Sequence, residues 1–236
     1  MNSRGFGVEV SCWRCFSPSG LGSVAAGGFG LYTEMTQPAT AADASTTGPQ
    51  EAVARWLQLT AGQIFPRTVI YQSTAAGADW PAHLVGIAPR TSCVAATDPQ
   101  IGPALAQSGC RTLLRATYAD ASGTLLTTVG IAVMPSAAAA AQAFSTIHNG
   151  QNAGVRTVSF AGTISSQFGN GQRTLIQTEY QGSYIFFFST GFADGRLMHA
   201  AAGYPAIQDL GDGVIGVLEN ILSQAGNPCQ EKDVRC

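Results

Sequence analysis

Cys110–Val133, CRTLLRATYADASGTLLTTVGIAV, carries the clearest hairpin pattern in the chain. Thr112, Leu114, Ala116 and Tyr118 fall on one face of an extended chain, and Arg111, Leu113, Arg115 and Thr117 on the other. Asp120-Ala-Ser-Gly123 supplies a turn whose glycine tolerates positive φ, after which Leu125, Thr127, Val129, Ile131 and Val133 alternate back. An antiparallel hairpin of this length leaves an apolar face that another layer has to cover.

The neighbouring segments supply such layers. Upstream, Thr97 as N-cap, Asp98 and Pro99 in the first turn, Ile101, Leu105 and Ala106 on one face and Gly109 as the stop predict a helix over 97–108. Downstream, Pro135-Ser136 opens an alanine-rich helix with Ala140, Ala143, Phe144 and Ile147 on its stripe, ending at Asn149-Gly150, and a strand is predicted over Val155–Ala161. Counted from His83, the order strand, helix, strand, strand, helix, strand is that of a ferredoxin-like split βαβ core. Before it come a short helix opened by Pro49 with Val53, Trp56 and Leu57 on one stripe, and an extended pair over 68–73 and 83–88. After it come a second hairpin, Arg173–Tyr180 and Ser183–Gly191 about Gln181-Gly182, and a helix carrying Ile207, Leu210, Val214, Val217 and Ile221. The expected class is α+β, an antiparallel sheet backed by helices, with an additional hairpin and a C-terminal helix.

This body is expected over 51–223. Thr36–Gln50 (TQPATAADASTTGPQ) has nothing to bury and reads as a linker. Residues 1–35 read either as a vestigial export signal, with Leu21–Tyr32 as a glycine-broken apolar run, or as an extension from a misassigned start, and 224–236 as a polar tail.

Composition narrows the chemistry. The 236 residues hold 11% charged side chains and a net charge of −2, and mean hydropathy is +0.13. Without a run of basic residues there is no phosphate-backbone footprint, so nucleic acid is not an expected partner. Of the 12 basic side chains only Lys232 is lysine, and it stands in the polar tail. A Walker loop, a pyridoxal Schiff base and a Ser-x-x-Lys nucleophile all need a lysine elsewhere. No cofactor is expected.

The motifs that remain have plain readings. Gly211-x-Gly213-x-x-Gly216 matches a dinucleotide fingerprint, but the chain leaves for a polar tail where a strand ending in an acid should follow, so small residues for close helix packing is the preferred reading. Cys12-x-x-Cys15 lacks a βαβ context or a second ligand pair, and His83, His148 and His199 share no ligand spacing, so no metal site is expected. Cys93 and Cys110 bracket the 97–108 helix. A disulfide there is favoured over two buried cytosolic thiols because the linker also suggests export, and Cys229 and Cys236 remain unassigned. Arg111 and Arg115 share one strand face and Arg173, Gln177 and Glu179 another. If these faces meet, Arg111, Arg115, Arg173 and Glu179 frame a groove for a small anionic ligand, against the alternative of a solvated sheet face. Tyr184, Phe186, Phe187 and Phe188 do not alternate, so their strand is either centrally buried or an interface for self-association.

The stretch PRTSCVAATDPQIGPALAQSGCRTLLRATYADASGTLLTTVGIAVMPSAAAAAQAF resembles a group of actinobacterial extracytoplasmic proteins, secreted or anchored by an N-terminal membrane helix, over about residues 50–222. The arginine-over-lysine bias and alanine content fit that resemblance, which carries no activity with it. It implies an extracytoplasmic location and a membrane tether ahead of the domain. The expectation is therefore a non-enzymatic cell-envelope module that binds a ligand or protein partner. An enzyme with an assembled site and a cytosolic oligomerising domain are the alternatives.

Overall fold

A computed structural model describes residues 55–147, 153–196 and 203–223. The expected segments 1–35, 36–50 and 224–236, the Pro49 end of the first helix, Cys12, Cys15, Cys229, Cys236, His148 and His199 lie outside the described residues.

The central hairpin forms as its alternation dictates. β3 (Thr112–Asp120) and β4 (Leu125–Val133) pair antiparallel, with Ala116 opposite Val129 and Gly123 at φ 67° in the turn. β1 (Thr68–Ser73) and β2 (Ala78–Ile87) precede it, and β5 (Arg173–Gln181) and β6 (Tyr184–Phe192) follow. The sheet runs β1-β2-β3-β4-β6-β5, every neighbour antiparallel. β2 begins earlier than the expected 83 and contains Pro81. Pairing with β3 starts only at Ala82, so the N–H that Pro81 lacks is not required on that side.

Helices cover both faces. α5 (Tyr204–Ser223) lays Ile207, Leu210, Val214, Ile215, Leu218 and Leu222 on Tyr118, Val129, Ile131, Phe186 and Phe188. On the opposite face α2 (Cys93–Ala96), α3 (Gly102–Gln107) and α4 (Ala137–Ile147) enclose Leu113, Ala132, Ile185 and Phe187. The short α1 (Ala61–Ile64) adds Ile64 to the α5 side. Strands covered on both faces need no polar side, which explains the unbroken Tyr-Ile-Phe-Phe-Phe run. Tyr184–Phe188 is thus an interior strand at 0–3% exposure, between β4 and β5, and offers no surface to a second copy unless the sheet opens.

Two expectations are corrected. The ferredoxin-like split βαβ is not confirmed, because 155–161 is not a strand. Both edges of β4 are occupied, so this segment crosses the sheet face as a strap, satisfying its backbone through side chains and through Arg156 N on Ala96 O at 2.8 Å. Ser189 Oγ donates to Val155 O at 2.7 Å, Thr117 Oγ1 to Val158 O at 2.7 Å, and Val158 N to Thr128 Oγ1 at 3.1 Å. The helix expected over 97–108 is shorter, running only from Gly102 to Gln107 as α3, with the separate α2 ahead of it. Thr97 closes α2, its Oγ1 donating to Cys93 O at 2.6 Å, and Gly109 ends α3 at φ 81°. Cys93 and Cys110 form a disulfide, Cα atoms 6.4 Å apart, tying α2 to the start of β3.

Candidate functional site

At the end of the sheet that carries the β1–β2 and β3–β4 turns, the α5 face is not fully filled. A cleft of about 350 Å³ opens there between Tyr71, Trp80, Asp120, Leu125, Phe192 and Ala206. Register explains the walls: Tyr71 lies opposite Trp80 and Leu125 opposite Phe192, so each pair projects from the same face. Ala206, at the start of α5, leaves the space that a larger side chain would close.

The polar groups around the cleft are held by the backbone they stabilise. Asp120 is 7% exposed; its carboxylate accepts from Leu125 N at 2.8 Å, Ser122 N at 3.2 Å and the Ser122 hydroxyl, which fixes the hairpin turn. Asp209 on α5 accepts from Thr74 N at 2.6 Å and Thr74 Oγ1 at 3.0 Å, fastening the β1–β2 turn to the helix. Burial, then the charges of Asp120 and Asp209, push the Tyr71 phenol up to about 12, so it is a neutral donor at any physiological pH. Arg196 stacks on the Phe192 ring, 4.4 Å from its centroid, and pairs with Asp194 at 3.3 Å. Among the described residues the lining is aromatic and aliphatic, with hydroxyls and the buried Asp120 carboxylate and no basic side chain. It can hold an uncharged or cationic molecule with an apolar body and disfavours an anion.

The residues expected to frame an anion groove do not form one: Arg115 and Arg173 both reach the strap, at Arg156 O and Val155 O, while Glu179 lies on the other face of the sheet. The ladder shifts between Arg173 and Leu175, which turns Arg173 away from the face of Gln177 and Glu179. Arg173 Nη1 and Nη2 clamp Asp98 at 2.7 and 3.1 Å, Nη1 also reaches Val155 O at 3.3 Å, and Nε donates to Asn170 O at 3.0 Å. Asp98 Oδ2 further accepts from Gly154 N at 2.9 Å. The pair is a buried structural clamp between β5, the strap and the α2–α3 junction. Glu179 faces α5 near Asp212 and Glu219. Arg111 is exposed, and Arg115 is half-buried beside the strap.

Sequence reasoning did not single out Tyr71, Trp80 or Phe192 as lining residues. Their only signal was two aromatics flanking a short turn, which register alone converts into a wall. The glycines of the dinucleotide-like motif lie inside α5, where a Cβ on Gly211 would overlap the Phe188 ring and one on Gly213 the Tyr71 Cβ. Close packing accounts for both. Among the described residues no helix is long and apolar enough to cross a membrane, and no three His, Cys, Asp or Glu side chains are grouped to hold a metal. No family model matches the chain, nor does any curated protein or solved structure.

Proposed function

We propose that this domain is a non-enzymatic extracytoplasmic binding module of the cell envelope whose ligand seat is the aromatic cleft at the start of α5. The observation that carries the reading is the cleft itself. It joins three aromatic rings, several hydroxyls and one carboxylate, Asp120, already engaged by Leu125 N, Ser122 N and the Ser122 hydroxyl, a lining suited to holding a molecule rather than to moving protons. The disulfide supports the location, since such bonds persist in oxidising compartments. A membrane tether ahead of residue 50 belongs to the same reading and rests on the resemblance alone.

The ligand class follows from the charge. Phenethylamine and phenethyl alcohol should bind saturably, seen by nitrogen-resolved NMR shifts at Trp80 and the β3–β4 turn, whereas phenylacetate should not. Ala206→Phe fills the cleft and should abolish both responses without lowering Tm by more than a few degrees. Equal binding of all three probes, or binding that survives Ala206→Phe, contradicts the assignment.

A further inference from the structure

The opposite face of the sheet carries an unbalanced positive pair. Arg115 projects from β3 toward the strap, its Nη1 donating to Arg156 O at 3.3 Å, while its Nε is buried without a hydrogen-bond partner. The Arg156 side chain is exposed on the strap, and among the described residues neither guanidinium has a carboxylate within 4.0 Å. The nearby acid, Asp98, is already clamped by Arg173. Like charge from Arg156 and the burial of Arg115 both work against the charged form of Arg115, its pKa lowered by burial first. The Arg115 guanidinium rests on the Arg156 backbone, so the Arg156 side chain starts from a point that side-chain bonds have fixed beside it, and together the two can fork an oxyanion.

We infer that Arg115 and Arg156 form a seat for a small oxyanion group, a phosphate or carboxylate, separate from the aromatic cleft. The strap is what builds it. Val155 and Val158 are pinned to Ser189, Thr117 and Thr128, so Arg156 leaves the surface at a fixed place beside Arg115. An anion there neutralises the repulsion between the two cations. The site lies on the far side of the sheet, so its failure would leave the cleft reading untouched.

Inorganic phosphate, titrated against chloride at matched low ionic strength, tests this in the intact chain, with phosphatidylglycerol vesicles as a second arm for a headgroup-borne phosphate. The expected result is a saturable rise in Tm with phosphate and a shift of the Arg115 Nε–H resonance. Arg156→Gln, an exposed change that leaves the strap bonds in place, should weaken the response roughly tenfold. Co-sedimentation with vesicles that Arg156→Gln removes would support the same seat with a lipid as its source. No saturable response to either probe, or responses that Arg156→Gln leaves unchanged, would overturn it.

Discussion

Gly213 and Gly216 stand one turn apart in α5 and make opposite predictions. A methyl group at Gly213 meets the Tyr71 Cβ, whereas nothing lies within 4 Å of the corresponding position at Gly216. Gly213→Ala should therefore cost about 1–3 kcal/mol by overpacking, and Gly216→Ala should gain about 0.5–1 kcal/mol from helix propensity, both read from urea unfolding. Arg173 tests a different term. Arg173→Met leaves the Asp98 carboxylate buried with a single N–H donor and should cost about 3–5 kcal/mol, part of it recovered in the double variant with Asp98→Asn. Glu179, Asp212 and Glu219 are each raised by burial first, then by a neighbouring acid, Asp212 for Glu179, Asp209 for Asp212 and Glu179 for Glu219. The folded state then holds protons that the unfolded chain gives up near pH ~4, so stability should fall as pH rises from there through the raised folded values and level off above them. A Glu179→Gln, Glu219→Gln variant should melt higher than the parent at neutral pH, by no more than about 1 kcal/mol given its partial exposure, and the advantage should vanish near pH ~4.

The hairpins were the most legible elements. β3 and β4 follow from alternation, β6 from its unbroken apolar run, and both hairpins from the glycines at 123 and 182, which take positive φ. α4 and α5 follow from helical spacing of small and branched residues on one stripe. What spacing could not show was the competition for sheet edges. Val155–Ala161 has strand composition, yet β3 and β6 already occupy β4, so the segment became a strap held by Thr117, Thr128 and Ser189. Buried hydroxyls on alternating strand positions were the sign that a backbone would cross there. Thr97 and Asp98 misled for a similar reason: both look like a helix start, but the threonine closes one helix and the aspartate answers an arginine distant in sequence. The disulfide acts at this scale. Cys93 and Cys110 are 17 residues apart, so reduction should cost about 3 kcal/mol, and reductant should leave the Tm of a Cys93→Ala, Cys110→Ala variant unmoved.

At the scale of the whole molecule, an antiparallel sheet buried on both faces has few places left for a ligand. Helices and the strap cover the centre, and space remains where α5 begins and two turns converge. The composition prepared for this only in general terms, by removing lysine chemistry and nucleic acid. The cleft depends on register between strands, and the Arg115–Arg156 pair on where the strap crosses; neither distance is written in local sequence. The most direct test of the account is a nitrogen-resolved NMR titration of the oxidised domain with phenethylamine. One saturable set of shifts centred on Tyr71, Trp80, Leu125 and Ala206 is expected, absent in Ala206→Phe. Shifts scattered over the surface, or none up to the solubility of the probe, would contradict it.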